Sequence, residues 1–220
     1  MLIAGIVGRN EKNRTANLIN SIFAKSGKKV SIIDSKNLTG LDSRLVKTYI
    51  SELEKNKVEI LILKINLDDI NNEVYSYIHF DTLIYNDKSE DAGEINIENY
   101  TTLMRRIFSS LDEKGTAIIN VDCSDLIQFL QGLNRHVVTY GFNPKASITA
   151  SSTGDDLLKN YMCCLQRTIS ARNGLLIEPQ EYSVTVESGD MDAYNVLAAS
   201  SFAILNGVNL NEIFSAGLKP

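Results

Sequence analysis

Lys12 lies in the run Gly5-Ile6-Val7-Gly8-Arg9-Asn10-Glu11-Lys12-Asn13-Arg14-Thr15, between an apolar strand and a helix, where a lysine can hold a phosphate. A phosphate loop needs small residues ahead of its lysine, so that backbone N–H groups close around phosphate oxygens. It also needs a Ser or Thr hydroxyl behind the lysine for Mg²⁺. Here Glu11 precedes Lys12, Asn13 follows it, and Ile6 stands where a glycine belongs six residues upstream. A carboxylate at Glu11 about 5 Å from a phosphate oxygen would cost about 3 kcal/mol at an effective dielectric near 20. Arg9 and Arg14 flank Glu11 and can offset its charge, so two readings stay open: an anion site without Mg²⁺, and a solvent-exposed lysine at a helix start.

Other chemistry is sparse. Asp87, Glu90, Asp91 and Glu94 form an acidic run in a loop, which reads as a solvated face with a metal site as its alternative. Asp68 and Asp69 fall near an expected helix start, where the dipole alone favours acidic residues. Cys123, Cys163 and Cys164 make no CxxC pair, and with only His79 and His136 no zinc spacing exists; the cysteines read as packing residues in a reducing cytoplasm. No base pairs with Cys123 as a nucleophile, since His136 begins a separate strand. Neither zinc, flavin nor NAD is expected. A net charge of −5 argues against a nucleic-acid binder. No run approaches the 18 or so apolar residues of a membrane span.

The elements that must position these groups alternate. Residues 2–7, 30–34, 58–65, 82–85, 116–121 and 136–140 read as strands. Between them, 15–25, 43–55, 67–78, 100–111 and 125–133 read as helices, with Gly27, Gly115 and Gly132 at helix C-termini. Strict alternation predicts an α/β fold with a mostly parallel sheet and helices on both faces. After residue 142 the stretches 146–152, 162–169, 175–178 and 182–186 read as strands without helices between them, hence a small antiparallel β appendage. Two helices close the chain, 192–206 and 210–216, the second with Asn209 as its N-cap. One domain is expected over 1–220: a core at 1–142, an antiparallel subregion at 143–190 and closing helices at 191–220. In such a sheet, ligands bind beyond the C-terminal ends of the strands.

Four stretches together resemble the central, ATP-binding domain of the Mur ligases, above all of the ligase that adds the third residue of the peptidoglycan stem peptide. They are GIVGRNEKNRTANLINSIFAKSGKKVSIID at 5–34, the passage 80–100 that ends Glu98-Asn99-Tyr100, GTAIINVDCSDLIQFLQGLNRHVVTYGF at 115–142, and the helix pair at 192–216. The resemblance implies a P-loop-like fold and chemistry in which ATP phosphorylates an acid that an amine then attacks, with Mg²⁺ neutralising phosphoryl oxygens.

The resemblance further implies nucleotide contacts at Gly8, Asn10, Lys12, Asn13, Arg14, Thr15, Asn120, Asp122 and Asn195. It also marks departures. The P-loop lysine matches Lys12 behind Glu11, and the metal-ligating hydroxyl matches Asn13. The metal-holding glutamate after the third strand matches Lys64, the lysine that becomes carbamylated matches Met104, and no histidine occurs in 86–93. Asn120 and Asp122 keep an Asn-x-Asp, with Cys123 in place of a second aspartate, and Met191 and Asp192 replace a His-Asn start. The chain matches neither the N-terminal domain for the nucleotide-sugar substrate nor the C-terminal domain of the family.

The expectation is therefore a cytoplasmic pseudoenzyme with a degenerate Walker A loop and no confident catalytic residue. It would bind ATP weakly, without Mg²⁺, or serve as an interaction module, as a homodimer or with a partner protein. The alternative is an ATP-dependent acid–amino acid ligase or ATPase with Asp68, Asp87, Asp91 and Asp122 as substitute metal ligands.

Overall fold

Short Ile- and Val-rich runs make the parallel strands β1 (Leu2–Val7), β2 (Val30–Asp34), β3 (Ile60–Ile65) and β4 (Phe80–Tyr85). β1 pairs in parallel with β3 and β4, and β3 with β2, so these strands lie in the order β2-β3-β1-β4. Five of the six side chains of β3 are buried, which is the signature of a strand covered on both faces. The computed structural model describes residues 1–8, 11–71, 73–87, 97–123, 132–153, 159–186 and 192–210.

The chain divides into two units. The first comprises Met1–Lys12, Lys29–Ala117 and Cys123–Val137. It holds β1 to β4 with helices α2 (Ser43–Lys55) and α3 (Ile97–Ser109), and β5 (Leu111–Asn120) starts in it. Asp42 caps α2 by accepting from Leu45 N at 2.8 Å.

The second unit comprises Asn13–Lys28, Ile118–Asp122 and Val138–Pro220. It holds all but the first residue of α1 (Lys12–Lys25), the end of β5, and most of β6 (His136–Tyr140). It continues with β7 (Ile148–Thr153), β8 (Lys159–Leu165), β9 (Ile169–Ser170), β10 (Leu176–Ile177), β11 (Gln180–Val186) and α4 (Ala193–Leu205). β7 runs parallel to β6, antiparallel to β8, and β8 antiparallel to β11; β9 and β10 form a separate two-stranded sheet. Twelve of the 13 residues of α4 are buried, and Phe202 meets Phe23 of α1 edge-on at 5.5 Å.

The fold is of the expected class, a mostly parallel α/β sheet with helices and a small antiparallel part. Three local expectations are corrected. Residues 67–78 form no α-helix but two short 3-10 turns, Leu67–Asp69 and Glu73–Ser76. Asn66, directly before them, donates its amide to Asp34, Ser35 and Asp69 instead of to the turn that follows it. Gly115 does not end a helix. Ser109 and Ser110 close α3 by bonding Arg106 O and Ile107 O, and Gly115 lies inside β5. The stretch expected as one strand over 162–169 stops at Leu165, and Ile169 opens β9. The helices expected at 125–133 and 210–216 lie largely outside the described residues. Among those residues, no helix is long and apolar enough to cross a membrane.

Candidate functional site

In the first unit the phosphate-loop residues follow β1. Asn86 N donates to Val7 O at 2.9 Å, which brings the end of β4 against the end of β1. Gly8 sits there at φ +154, and a Cβ at this position would lie 2.9 Å from Asp87 Oδ1 and 3.2 Å from the Asn86 backbone. Glu11 takes a left-handed φ of +62, a conformation that strains a non-glycine residue by about 1–3 kcal/mol. Lys12 opens α1, and its ammonium donates back to the Gly8 carbonyl. Burial lowers the Lys12 pKa; Asp87, Asp34 and Asp69 pull it up in part, and Lys64 pushes it down further. Asn10 and Arg9 lie outside the described residues.

Around Lys12 the charges are matched internally. Lys64 pairs with Asp34 at 3.7 Å, its direct register partner across β3 and β2. Asp69 accepts from Ser35 Oγ at 2.5 Å and Asn66 Nδ2 at 3.1 Å, so it is tied into the end of β2 and β3; Asp68 is exposed. Asp87, expected as part of a solvated run, is 1% exposed and accepts the Tyr100 hydroxyl at 2.6 Å. Tyr100 meets Tyr85 at 2.8 Å, and Tyr85 meets Cys123 Sγ at 3.6 Å. Burial raises the Tyr85 pKa far above the usual range, with Tyr100 and Asp87 adding to it. Cys123 is thus a buried packing residue within this chain of hydroxyls. Glu90, Asp91 and Glu94 lie outside the described residues.

This donor set does not fit a hard dication. Lys64 brings an ammonium already joined to Asp34, Asn13 is an exposed amide, and Met104 is a fully buried thioether of α3. Among the described residues, no three His, Cys, Asp or Glu side chains converge as a metal site.

The second unit builds a different arrangement. Thr15, buried, donates its hydroxyl to Asn195 Oδ1 at 2.8 Å. Asn195 donates both its backbone N–H and its Nδ2 to Asp192, the N-cap of α4, at 3.0 Å each. Asn120, 1% exposed, accepts from Asp122 N at 3.0 Å. The Asp122 carboxylate accepts from Phe142 N at 2.6 Å, Asn143 N at 2.9 Å and Tyr194 Oη at 3.2 Å. The sequence-matched polar residues Thr15, Asn120, Asp122 and Asn195 therefore bind protein groups, and Asp122 shapes the loop after β6. Phe142 in that loop and Tyr194 in the first turn of α4, neither singled out from sequence, meet ring edge to face at 5.3 Å and 90°. The signal was an aromatic residue directly after Gly141, at the C-terminal end of β6.

Residues 6–203 match the Mur ligase middle domain family. The chain belongs to that family. It is 24% identical over 210 residues to the UDP-N-acetylmuramoyl-L-alanyl-D-glutamate–2,6-diaminopimelate ligase of Chlamydia trachomatis, covering 90% of this chain and 41% of that one. It is also 24% identical over 238 residues to the ligase of the same name from Bacillus velezensis, covering 97% and 46%. A solved structure of a ligase of that name superposes with TM-score 0.75 at 15% identity, over 97% of this chain and 45% of the other. The MurF ligase of Thermotoga maritima in complex with ADP gives 0.64 at 16% identity, over 100% and 48%. This Mur ligase middle domain thus spans about two-fifths of the length of the curated relatives it matches.

Proposed function

We propose that residues 1–220 form one Mur ligase middle domain that binds an adenine nucleotide without performing ligation, as a nucleotide-binding or interaction module related to peptidoglycan precursor synthesis. The observation that carries this reading is the Lys64–Asp34 ion pair at the end of β3. Where the family resemblance puts a metal-holding carboxylate, this chain has an ammonium with its counter-ion already in place. The buried Met104 supports it, since a thioether cannot be carbamylated. Lys12 is the residue for phosphate, with Gly8, Asn10, Asn13 and Arg14 beside it in sequence. We place the module in the cytoplasm, with a second copy or another protein as partner and with neither nucleic acid nor membrane.

The test is the thermal shift of the purified chain with millimolar ADP or ATP, with Mg²⁺ and with chelator, beside Lys12→Ala. A ligand at 100 times its Kd adds about 2.7 kcal/mol of apparent stability, or several degrees. The expected result is a Lys12-dependent shift that persists without Mg²⁺. No shift under any condition overturns nucleotide binding. A shift that requires Mg²⁺, with amino-acid-dependent phosphate release, favours the second reading, an ATP-dependent acid–amino acid ligase. The observation on its side is Asp87, a buried carboxylate beside Gly8 that attracts Lys12.

A further inference from the structure

Arg135, half-buried in the first unit, is held by groups that leave its charge unanswered. Its Nε donates to the carbonyl of Leu111, the first residue of β5, at 3.2 Å, and its Nη1 to Asn134 O at 2.9 Å. Two carbonyls orient the guanidinium but carry no net charge, and among the described residues no carboxylate pairs with it. A planar cation fixed by neutral partners is arranged in advance for an oxyanion, the geometry its fork matches best.

Arg135 lines a cleft of about 350 Å³ between the C-terminal end of α3 and residues 132–135. Arg105 lines the same cleft, together with Ser109, Asn134, the half-buried Leu133 and the buried Phe108. A few polar groups against an apolar wall is the usual make-up of a small-molecule site. Cations near a helix C-terminus are ordinary, because they answer its dipole. Here the Ser109 and Ser110 hydroxyls already bond Arg106 O and Ile107 O, and Arg135 bonds no carbonyl of α3. The cleft is also remote from Lys12. Phe80 N, at the start of β4, donates to Ser110 O beside the cleft, whereas Asn86, just past the end of β4, meets the end of β1. About 17 Å of strand lies between.

We propose that this cleft binds the carboxylate or phosphate group of a small anionic ligand, with Arg135 as its anchor and Arg105 as a second cation. A chain of net charge −5 repels anions at long range, so affinity has to come from these local guanidiniums.

The test titrates inorganic phosphate and succinate separately into the Lys12→Ala chain, which lacks the phosphate lysine, and follows the arginine Nε–H signals by NMR. The expected result is a saturable shift of the Arg135 signal with at least one probe; phosphate alone marks a phosphorylated ligand, succinate alone a carboxylate. In the same background Arg135→Gln should weaken binding by about tenfold, the size of a lost hydrogen bond to a charged group. Arg135→Gln also gives up the bond to Leu111 O, so two gentler variants guard against loss of the fold. Arg135→Lys, which keeps the charge without the fork, and Arg105→Gln, at an exposed position, should each weaken binding by a few-fold at an unchanged melting temperature. No saturable shift with either probe overturns the site, and so does unchanged affinity in both gentler variants.

Discussion

The loop after β1 and the loop after β6 both follow strand ends, yet they handle charge in opposite ways. At the first, Lys12, Lys64, Asp34, Asp69 and Asp87 answer one another, and Glu11 sits in a strained backbone conformation. At the second, one carboxylate, Asp122, gathers two backbone amides and a phenol and leaves an aromatic face outward. The first loop is where the sequence departs from the phosphate-loop pattern, and the second folds over Asp122 of the Asn-x-Asp kept at the end of β5. The difference lies in what the charge does: at the first loop charges balance one another pair by pair, and at the second a single carboxylate fixes the backbone of the loop.

The harshest way to break the comparison is to disturb the strand ends beneath Lys12. Gly8→Val would put a side chain into the Asn86 backbone and the Asp87 carboxylate, at a φ that branched residues do not adopt. Strain and overpacking together should lower stability by about 3 kcal/mol. Urea unfolding should show a lower midpoint at an unchanged slope. A loss below about 1 kcal/mol would mean that β1 and β4 have room to part, and the glycine would not be required.

Glu11→Gly should act in the other direction. The left-handed φ of +62 is strained for glutamate and free for glycine, so the variant should gain about 1 kcal/mol, less some unfolded-chain entropy. It should also bind ADP more tightly, because a carboxylate leaves the lysine's neighbourhood. Calorimetric melting and ADP titration of the same sample check both. A destabilised variant would show that the Glu11 side chain makes contacts worth more than its backbone strain.

Much of the fold was legible because local signals agree. β1, β2, β6 and α2 have the bounds expected from their apolar runs, and in α2 Asp42 accepts the bond that starts the helix. What misled was side chains that serve distant partners. Asn66 reaches Asp34, 32 residues away, and only a 3-10 turn follows it where a helix over 67–78 is expected. Asp87 reads as one of a solvated run until Tyr100 closes over it. The candidate residues follow the same rule: the place of Lys12 at the start of α1 is local to its loop, whereas Phe142 and Tyr194 join Asp122 across 20 and 72 residues. Thr15 and Asn195 bond to each other across 180 residues, a partnership that no local pattern encodes.

The smallest expected effect tests whether the Lys64–Asp34 pair matters to stability at all. Burial opposes ionisation of Asp34, but the Lys36 N–H, the Asn66 amide and the Lys64 ammonium outweigh it and hold the carboxyl pKa below its ordinary value of 3.8. A carboxyl depressed in the folded state contributes stability above its unfolded pKa and loses it as pH falls through the folded one. The contribution is therefore present above about pH 3.8 and fades below it. Lys64→Met removes one of the four lowering influences and leaves a half-buried carboxylate with fewer partners, so Asp34 should titrate closer to 3.8 and the acid limb of stability should flatten there. Asp34 is about one-third exposed, so solvent screens the pair and the change should be modest, readable as a shift in the pH dependence of the urea midpoint. An acid limb identical to that of the wild-type chain would mean that the Lys36 and Asn66 bonds alone set the Asp34 charge. Lys64 would then be an ammonium held loosely enough to meet a phosphate, and the charge-matched loop would resemble the open one after β6 more than its contacts suggest.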